Sequence, residues 1–287
     1  MNKIVYLLGL LVFFFSFSSY ADKFDPNGTS ARLGVGFSTF TSKARGDCLT
    51  YKKVTAMKSR RTGRGQNLLF DFKMISKKTE LQNELGIGAG LSYGLGPLSA
   101  GVKGRYVRNV KTTRSTLFAV VKVSVVNQVE TLKSPKLKQS ALNLLKNGKY
   151  KFFYRRCGDV FVRSFQSGGE FIAVIHIEMK SSSKKSKVQA SIQAGWGMWR
   201  ANGSISNMKR ALNQAGKYTI RMFRKGDNSV LPNTNLASIL RYARAFPSKL
   251  RGQLSYPIVA ETGDYSIVDN FPAIQLPSLS AYPKIPK

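Results

Sequence analysis

Few residues in this chain could do covalent or acid–base chemistry: it holds one histidine, His176, and two cysteines, Cys48 and Cys157. His176 lies between Glu170 and Glu178 in a stretch of alternating polarity, a lone imidazole on a strand with no nucleophile motif beside it. General acid–base or triad chemistry lacks its other members there. One histidine and two cysteines also fall short of the usual zinc ligand sets. Gly86, Gly88 and Gly90 do not have GxGxxG spacing, and no phosphate-binding loop follows a strand. The chain is therefore expected not to be an enzyme and to use no catalytic residue, metal, cofactor or small-molecule substrate. The cysteines allow a Cys48–Cys157 disulfide in an oxidising compartment; two separate buried thiols is the other reading.

The abundant chemistry is positive charge. Lys and Arg number 46 against 14 Asp and Glu, a formal charge of +32 over 287 residues. With 43% hydrophobic and 11% aromatic residues the chain can still bury a core, so general disorder is excluded. Its length suits one large domain.

Lys3 precedes an apolar run from Ile4 to Phe15, then serines and the small-residue site Ser19-Tyr20-Ala21 before Asp22. Residues 1–21 read as a secretory signal peptide, the apolar run being too short to span a bilayer as a helix. Outside the cell the polyanions are lipid headgroups, lipopolysaccharide and surface glycans, and basic residues favour such surfaces in a salt-sensitive way. Nucleic acid is not expected, because no reading motif accompanies the charge. The expected location is extracellular or periplasmic, or membrane-associated after assembly.

The segments that would present these residues are mostly β-like. A short β-leaning stretch, 32–51, leads into the basic connection 52–64. From 85 to 97 the odd positions are Leu85, Ile87, Ala89, Leu91, Tyr93 and Leu95, and the even ones are glycine or serine. Period two places the apolar set on one face of an extended strand. Residues 117–126 read as a buried strand. Leu137, Ala141, Leu144 and Leu145 have helical spacing across 136–146, with Gly148 as a stop. Alternation returns at 171–179 and again at Val188, Ala190, Ile192, Ala194, Trp196 and Met198, across the polar turn 181–187. Two such strands make a hairpin with one oily and one wettable face, suited either to a barrel wall or to a surface hairpin over an ordinary core. Trp196 and Trp199 fit a bilayer interface or a core equally. A strand at 218–223, a helix at 236–246 stopped by Pro247, and a Pro-rich extended tail, 271–287, complete the reading.

The run Cys157-Gly158-Asp159-Val160-Phe161, six residues, then Gly168-Gly169 resembles the signature of the membrane attack complex/perforin (MACPF) family, an aromatic-Gly-hydroxyl-His-aromatic sequence spaced six residues from Gly-Gly. Gly158, Phe161, Gly168 and Gly169 match, while Cys157, Asp159 and Val160 depart. The leucine-rich helix before it, the strand–turn–strand after it, the glycine-rich segment at 85–97, and the close from Asn235 to Tyr256-Pro257 are similar to the family's order. The resemblance implies an α+β fold over 22–270, with a bent four-stranded antiparallel sheet and flanking helical clusters that refold into membrane hairpins. Paired glycines would permit the bend.

Two functions follow as expectations. The first is a secreted pore-forming or membrane-perturbing cytolytic toxin that binds anionic membranes, assembles as a homo-oligomer, and inserts hairpins near 85–107 and 172–198. Its lipid-contacting candidates are Leu85, Ile87, Leu91, Tyr93, Leu95, Val188, Ile192, Trp196 and Met198. The alternative is a non-lytic adhesin or glycan binder of the same fold, favoured by Lys103, Arg105, Arg108, Lys111 and Arg114 in the first candidate hairpin.

Overall fold

The computed structural model describes residues 22–26, 28–55, 66–87, 96–250 and 255–277. The signal-peptide reading of 1–21, most of the basic connection, and Leu91, Tyr93 and Leu95 lie outside the described residues. The elements in order are β1 (Lys23–Phe24), β2 (Gly36–Ser38), β3 (Lys43–Ala44), β4 (Leu49–Thr55), β5 (Gln66–Ile75), α1 (Lys78–Glu84), α2 (Gly96–Asn109), β6 (Thr116–Asn127), β7 (Glu130–Leu137), α3 (Gln139–Lys146), α4 (Tyr150–Cys157), β8 (Val160–Met179), α5 (Lys185–Asn202), α6 (Ser206–Ala215), β9 (Gly216–Lys225), α7 (Leu236–Lys249) and β10 (Tyr256–Asp264).

The 20-residue strand β8 joins two half-sheets. Its first half pairs antiparallel with β10 on one side and briefly with β7, which carries β4; β1 continues beyond β10. Its second half pairs with β6 through Glu178↔Thr116 to Gly168↔Val126 and with β9 through Glu170↔Lys225 to Met179↔Gly216. With β5 on the far side of β6, this half is a four-stranded antiparallel sheet in the order β5-β6-β8-β9, open at both edges.

Alternation decides the layering. Leu117, Ala119, Val121 and Val123 of β6 and Phe171, Ala173, Ile175 and Ile177 of β8 face a large core closed by α5, α6 and α7. Phe118, Val120, Ile172 and Val174 face the other way, under α1 and α2. A sheet covered on both faces explains why β8 is buried almost without interruption from Gly168 to Ile177.

At the other end of the molecule α3 and α4 cover a separate core containing Leu145, Phe153, Phe161 and Tyr265. Here Cys48 and Cys157 form a disulfide, with Cα atoms 5.7 Å apart across a sequence separation of 109. A loop of that length is worth about 4–5 kcal/mol in the chain-entropy view. Phe271, Ile274 and Leu276 of the tail pack on this core, and the Tyr154 hydroxyl donates to the Pro277 carbonyl at 2.6 Å.

Several readings need correction. Residues 188–198 are not a strand: they form most of α5, because Ile192, Gly195, Trp196 and Trp199 recur at helical spacing and all are buried. The described ends of 85–97 are not strand either. Leu85 caps α1 and is buried, Ile87 is half-buried beside it, and α2 begins at Gly96. Pro247 does not stop α7, which runs to Lys249.

Candidate functional site

The signature residues knot the two ends of a loop together where β8 starts. Gly158 has φ +78, and a Cβ there would overlap the backbone of Phe37 in β2. Asp159 accepts from the Thr39 amide at 2.9 Å and from the Thr39 hydroxyl, so the acid in the hydroxyl position ties the β2–β3 turn to β8. Phe161 is fully buried, its ring 5.3 Å from that of Tyr265, whose hydroxyl donates to the Cys157 carbonyl at 2.6 Å. Burial pushes the Tyr265 phenol far above its ordinary range.

Gly168 and Gly169 stand where β8 exchanges partners. Gly168 is the last residue to pair with β10, at Tyr256, and two residues further Glu170 begins the pairing with β9. A Cβ on Gly168 would overlap the Val125 carbonyl oxygen; on Gly169 it would fall 2.5 Å from the Lys225 carbonyl oxygen and 2.7 Å from Leu250 Cδ1. No side chain fits at this junction. The glycines serve close approach of the β6, β8 and β9 backbones and of the Leu250 side chain that follows α7, which is a physical reason for the pair.

Beyond the junction each helical cluster bridges two strands that are already paired. Between β5 and β6 lie α1 and α2, and the flanking strand ends meet at Ile75↔Phe118. Residues between β8 and β9 form α5 and α6, whose flanking ends meet at Met179↔Gly216. This order of antiparallel sheet and helical clusters is the one the resemblance implied.

The first cluster is fastened by charge. A ladder of alternating sign crosses the sheet: Lys73 of β5 to Glu84 of α1 at 2.6 Å, Glu84 to Lys122 of β6 at 3.8 Å, Lys122 to Glu170 of β8 at 3.8 Å, and Glu170 to Lys103 of α2 at 2.5 Å. The side chains of Lys103 and Glu170 are 6% and 7% exposed, so this pair sits in a medium where an unpaired charge is costly. Bonding to Glu84 holds the Lys73 amine above its usual value, despite some burial. Among the described residues the cluster's apolar contacts are Leu81, Leu85 and Val107, with Ile87 and Val110 beside them and Tyr106 edge-on to Phe223 at 5.6 Å. Burial also pushes the Tyr106 phenol up to about 12. Next to Glu170 across the strand pair, Lys225 has its ammonium 3.8 Å from the centre of the Tyr256 ring. Burial brings it down to about 8, with Asp25 and Glu170 opposing and Lys103 assisting.

The second cluster is fastened by aromatic rings. Trp196 stacks on Phe72 at 4.5 Å and on Phe70 at 5.7 Å, and Trp199 lies 5.7 Å from Phe70 and 4.8 Å from Trp196. Gly195 lets α6 approach: a Cβ there would be 2.7 Å from the Met208 amide nitrogen. Ile192, Met208, Ala211, Leu212 and Ala215 complete the contact. Of the four candidates on α5, Ile192 and Trp196 are buried, Val188 is half-buried and Met198 is 40% exposed. The tryptophans are core residues in this state.

His176 is buried, its ring stacked 4.9 Å from Phe118, with Nε2 3.9 Å from a Glu178 carboxylate oxygen. Burial lowers its pKa, partly offset by Glu178. Glu170 does not join it; that carboxylate belongs to the ladder. Sequence reasoning missed the ladder altogether, because Lys103 and Glu170 are 67 residues apart and no local pattern couples them. It also missed Asp227, which is 2% exposed and has φ +53 in the turn after β9. This carboxylate accepts from the Tyr242 hydroxyl at 2.6 Å and from the Ser229 hydroxyl and amide at 2.7 and 3.0 Å. Burial favours the neutral acid, but these bonds and the Lys249 ammonium outweigh it and hold the pKa down to about 2.

No protein-family profile matches the sequence, and no curated protein is similar to it. Among solved structures it is similar to stonustoxin, with 8% identity and a TM-score of 0.40 over 86% of this chain and 32% of that one. It is similar to GNIP1Aa from Chromobacterium piscinae, with 15% identity and a TM-score of 0.35 over 87% and 54%. A cell invasion protein with a MAC/perforin domain from Bacteroides thetaiotaomicron gives 13% identity and a TM-score of 0.29 over 89% and 53%. The chain spans about a third to a half of the length of these three structures.

Proposed function

We propose that this is a secreted, membrane-perturbing protein whose two helical clusters unwind into β-hairpins at an anionic membrane, where several copies assemble a pore. The observation that carries the reading is topological. Each cluster links the ends of two strands that are already hydrogen-bonded in antiparallel register, so extending α1–α2 or α5–α6 lengthens an existing hairpin without re-pairing the sheet.

Composition supports the same reading. Residues 85–102 carry no charge, and residues 188–208 carry only Arg200. As hairpins these stretches give arms of about nine or ten residues, the length a tilted strand needs to cross the hydrocarbon of a bilayer. The cations that argued for a non-inserting protein, Lys103 to Arg114, then fall on the root of the first hairpin. A spanning sheet cannot leave edges in hydrocarbon, so insertion requires closure into a barrel of several copies. The edge strands β5 and β9 supply the free backbone for it. No helix among the described residues is long and apolar enough to cross a membrane, and strands are the spanning elements in this proposal. The disulfide suits an oxidising compartment.

The test is dye release from vesicles of anionic phospholipid at low salt. Release that rises steeply with protein concentration is expected; none at any concentration contradicts the reading. A second reading, non-lytic binding of polyanionic glycans, is favoured by the exposed cations Lys146, Lys149, Lys151, Arg155 and Arg156 around α4. Salt-reversible binding without oligomeric rings on the bilayer would favour it.

A further inference from the structure

Positive charge is spread over the whole chain, but one concentration of it has a position that charge alone does not explain. At the end of the four-stranded half-sheet where both clusters leave it, the connections 110–116 and 179–187 and the start of β9 lie side by side. The Met179 amide donates to the Ser115 carbonyl at 3.2 Å, the Lys185 ammonium to the Arg114 carbonyl at 3.4 Å, and Glu178 stands opposite Lys217 in the ladder of β8 and β9. Arg114, Lys180, Lys184, Lys187 and Lys217 are exposed there and Lys185 is half-buried, while Glu178 is the acid nearest along the chain to Lys180, Lys184, Lys185 and Lys187. The stretch 188–208, whose one charge is Arg200, follows directly on Lys187, whereas 85–102 is separated from this rim by residues 103–109.

We propose that this rim is the docking surface for a lipid bilayer bearing anionic headgroups, and that it sets the depth from which the hairpins extend. The inference rests on the membrane reading above and adds the surface that makes first contact. Four or more cations on one rim give an attraction that neutral lipid lacks and that falls with salt. These cations sit at the foot of the second hairpin, so docking brings 188–208 to the hydrocarbon boundary while Lys184, Lys185 and Lys187 stay at headgroup level. The α3–α4 end is also basic. It lies at the opposite end of β8, beside the disulfide and away from α5 and α6, and so provides a control of matched charge.

The experiment compares the mature chain with two variants of equal net charge. One carries Lys180→Gln, Lys184→Gln, Lys185→Gln and Lys187→Gln; the other carries Lys146→Gln, Lys149→Gln, Lys151→Gln and Arg155→Gln. Circular dichroism verifies that both are folded, and co-sedimentation measures binding to phosphatidylglycerol/phosphatidylcholine vesicles and to phosphatidylcholine alone. The rim variant is expected to lose about 100-fold or more in affinity for the anionic vesicles, and the control less than about tenfold. Equal losses in the two variants, no preference of the parent protein for anionic vesicles, or a loss confined to soluble heparin overturns the proposal. Dye release separates the two readings. Rim-dependent binding without release contradicts pore formation and leaves the docking surface standing. Undiminished release by the rim variant overturns the docking surface and leaves pore formation standing.

Discussion

The two helical clusters occupy equivalent places, each at the end of a paired hairpin, yet they are held to the sheet by opposite chemistry. The α1–α2 cluster is tied down by a five-member ion ladder beside the apolar contacts of Leu81, Leu85 and Val107. The α5–α6 cluster rests on two tryptophans, two phenylalanines and a close helix–helix approach at Gly195. A buried ion pair fails when one partner is neutralised or drawn to another charge, because the remaining charge is then unsolvated. An aromatic stack has no such single point of failure and loosens only when many contacts are lost together. The difference gives the protein one attachment that is sensitive to the local charge environment and one that is not, and it predicts that α1–α2 leaves first.

The largest expected effect is on the apolar side. Trp196→Ala should cost about 3–5 kcal/mol, read as a fall in the denaturant midpoint, and should expose α5 and α6 together. Glu170→Gln should cost about 3 kcal/mol by leaving Lys103 buried and unpaired, but the loss of hydrogen-exchange protection should be confined to 78–109. The double variant Lys103→Met with Glu170→Leu should recover most of that stability. Loss of protection throughout the molecule in Glu170→Gln would break the comparison. A smaller effect is expected at Asp227, which ties the turn after β9 to α7. Its carboxyl is held below the unfolded value, so its contribution is complete above about pH 4 and is lost as pH falls towards about 2; Asp227→Asn should remove about 2 kcal/mol at neutral pH and flatten that acid limb in chemical denaturation. The smallest effect belongs to His176. Its folded pKa lies below the unfolded value near 6.5, so stability is complete above that pH and declines as pH falls through it. His176→Phe should remove that slope, as read from unfolding curves between pH 7 and 5.

The β regions were legible where alternation had one meaning. The strands at 117–126, 171–179 and 218–223 all lie within observed strands, since β-branched runs buried on a sheet leave little alternative. The resemblance implied helical clusters, but local pattern misread 188–198 as a strand because those residues satisfy two periods at once. In α5 the helical set Ile192, Gly195, Trp196 and Trp199 is buried, while the period-two set Val188, Ala190, Ile192, Ala194, Trp196 and Met198 is apolar throughout. Local pattern cannot choose between helix and strand there; the cores beneath α5 and α6 choose the helix in this state. The Gly168–Gly169 junction was visible as a motif, but its role as the point of partner exchange depends on β7, β9 and β10, two of which had no strand signal. β7 contains Pro135 and a positive φ at Ser134, features that conceal a strand in sequence. The ion ladder and the Asp227 network join residues from distant segments, and nothing local encodes such pairings.

The dual periodicity of α5 also provides the most direct test. A single environment-sensitive fluorophore placed in turn at each position from 188 to 198 would report lipid or water contact on anionic vesicles. If the cluster becomes a membrane hairpin, emission should alternate residue by residue, with positions 188, 190, 192, 194, 196 and 198 in lipid and their neighbours in water. A period near 3.6, or spectra unchanged from the soluble protein while it is bound to the vesicles, would contradict the refolding on which the proposed function depends.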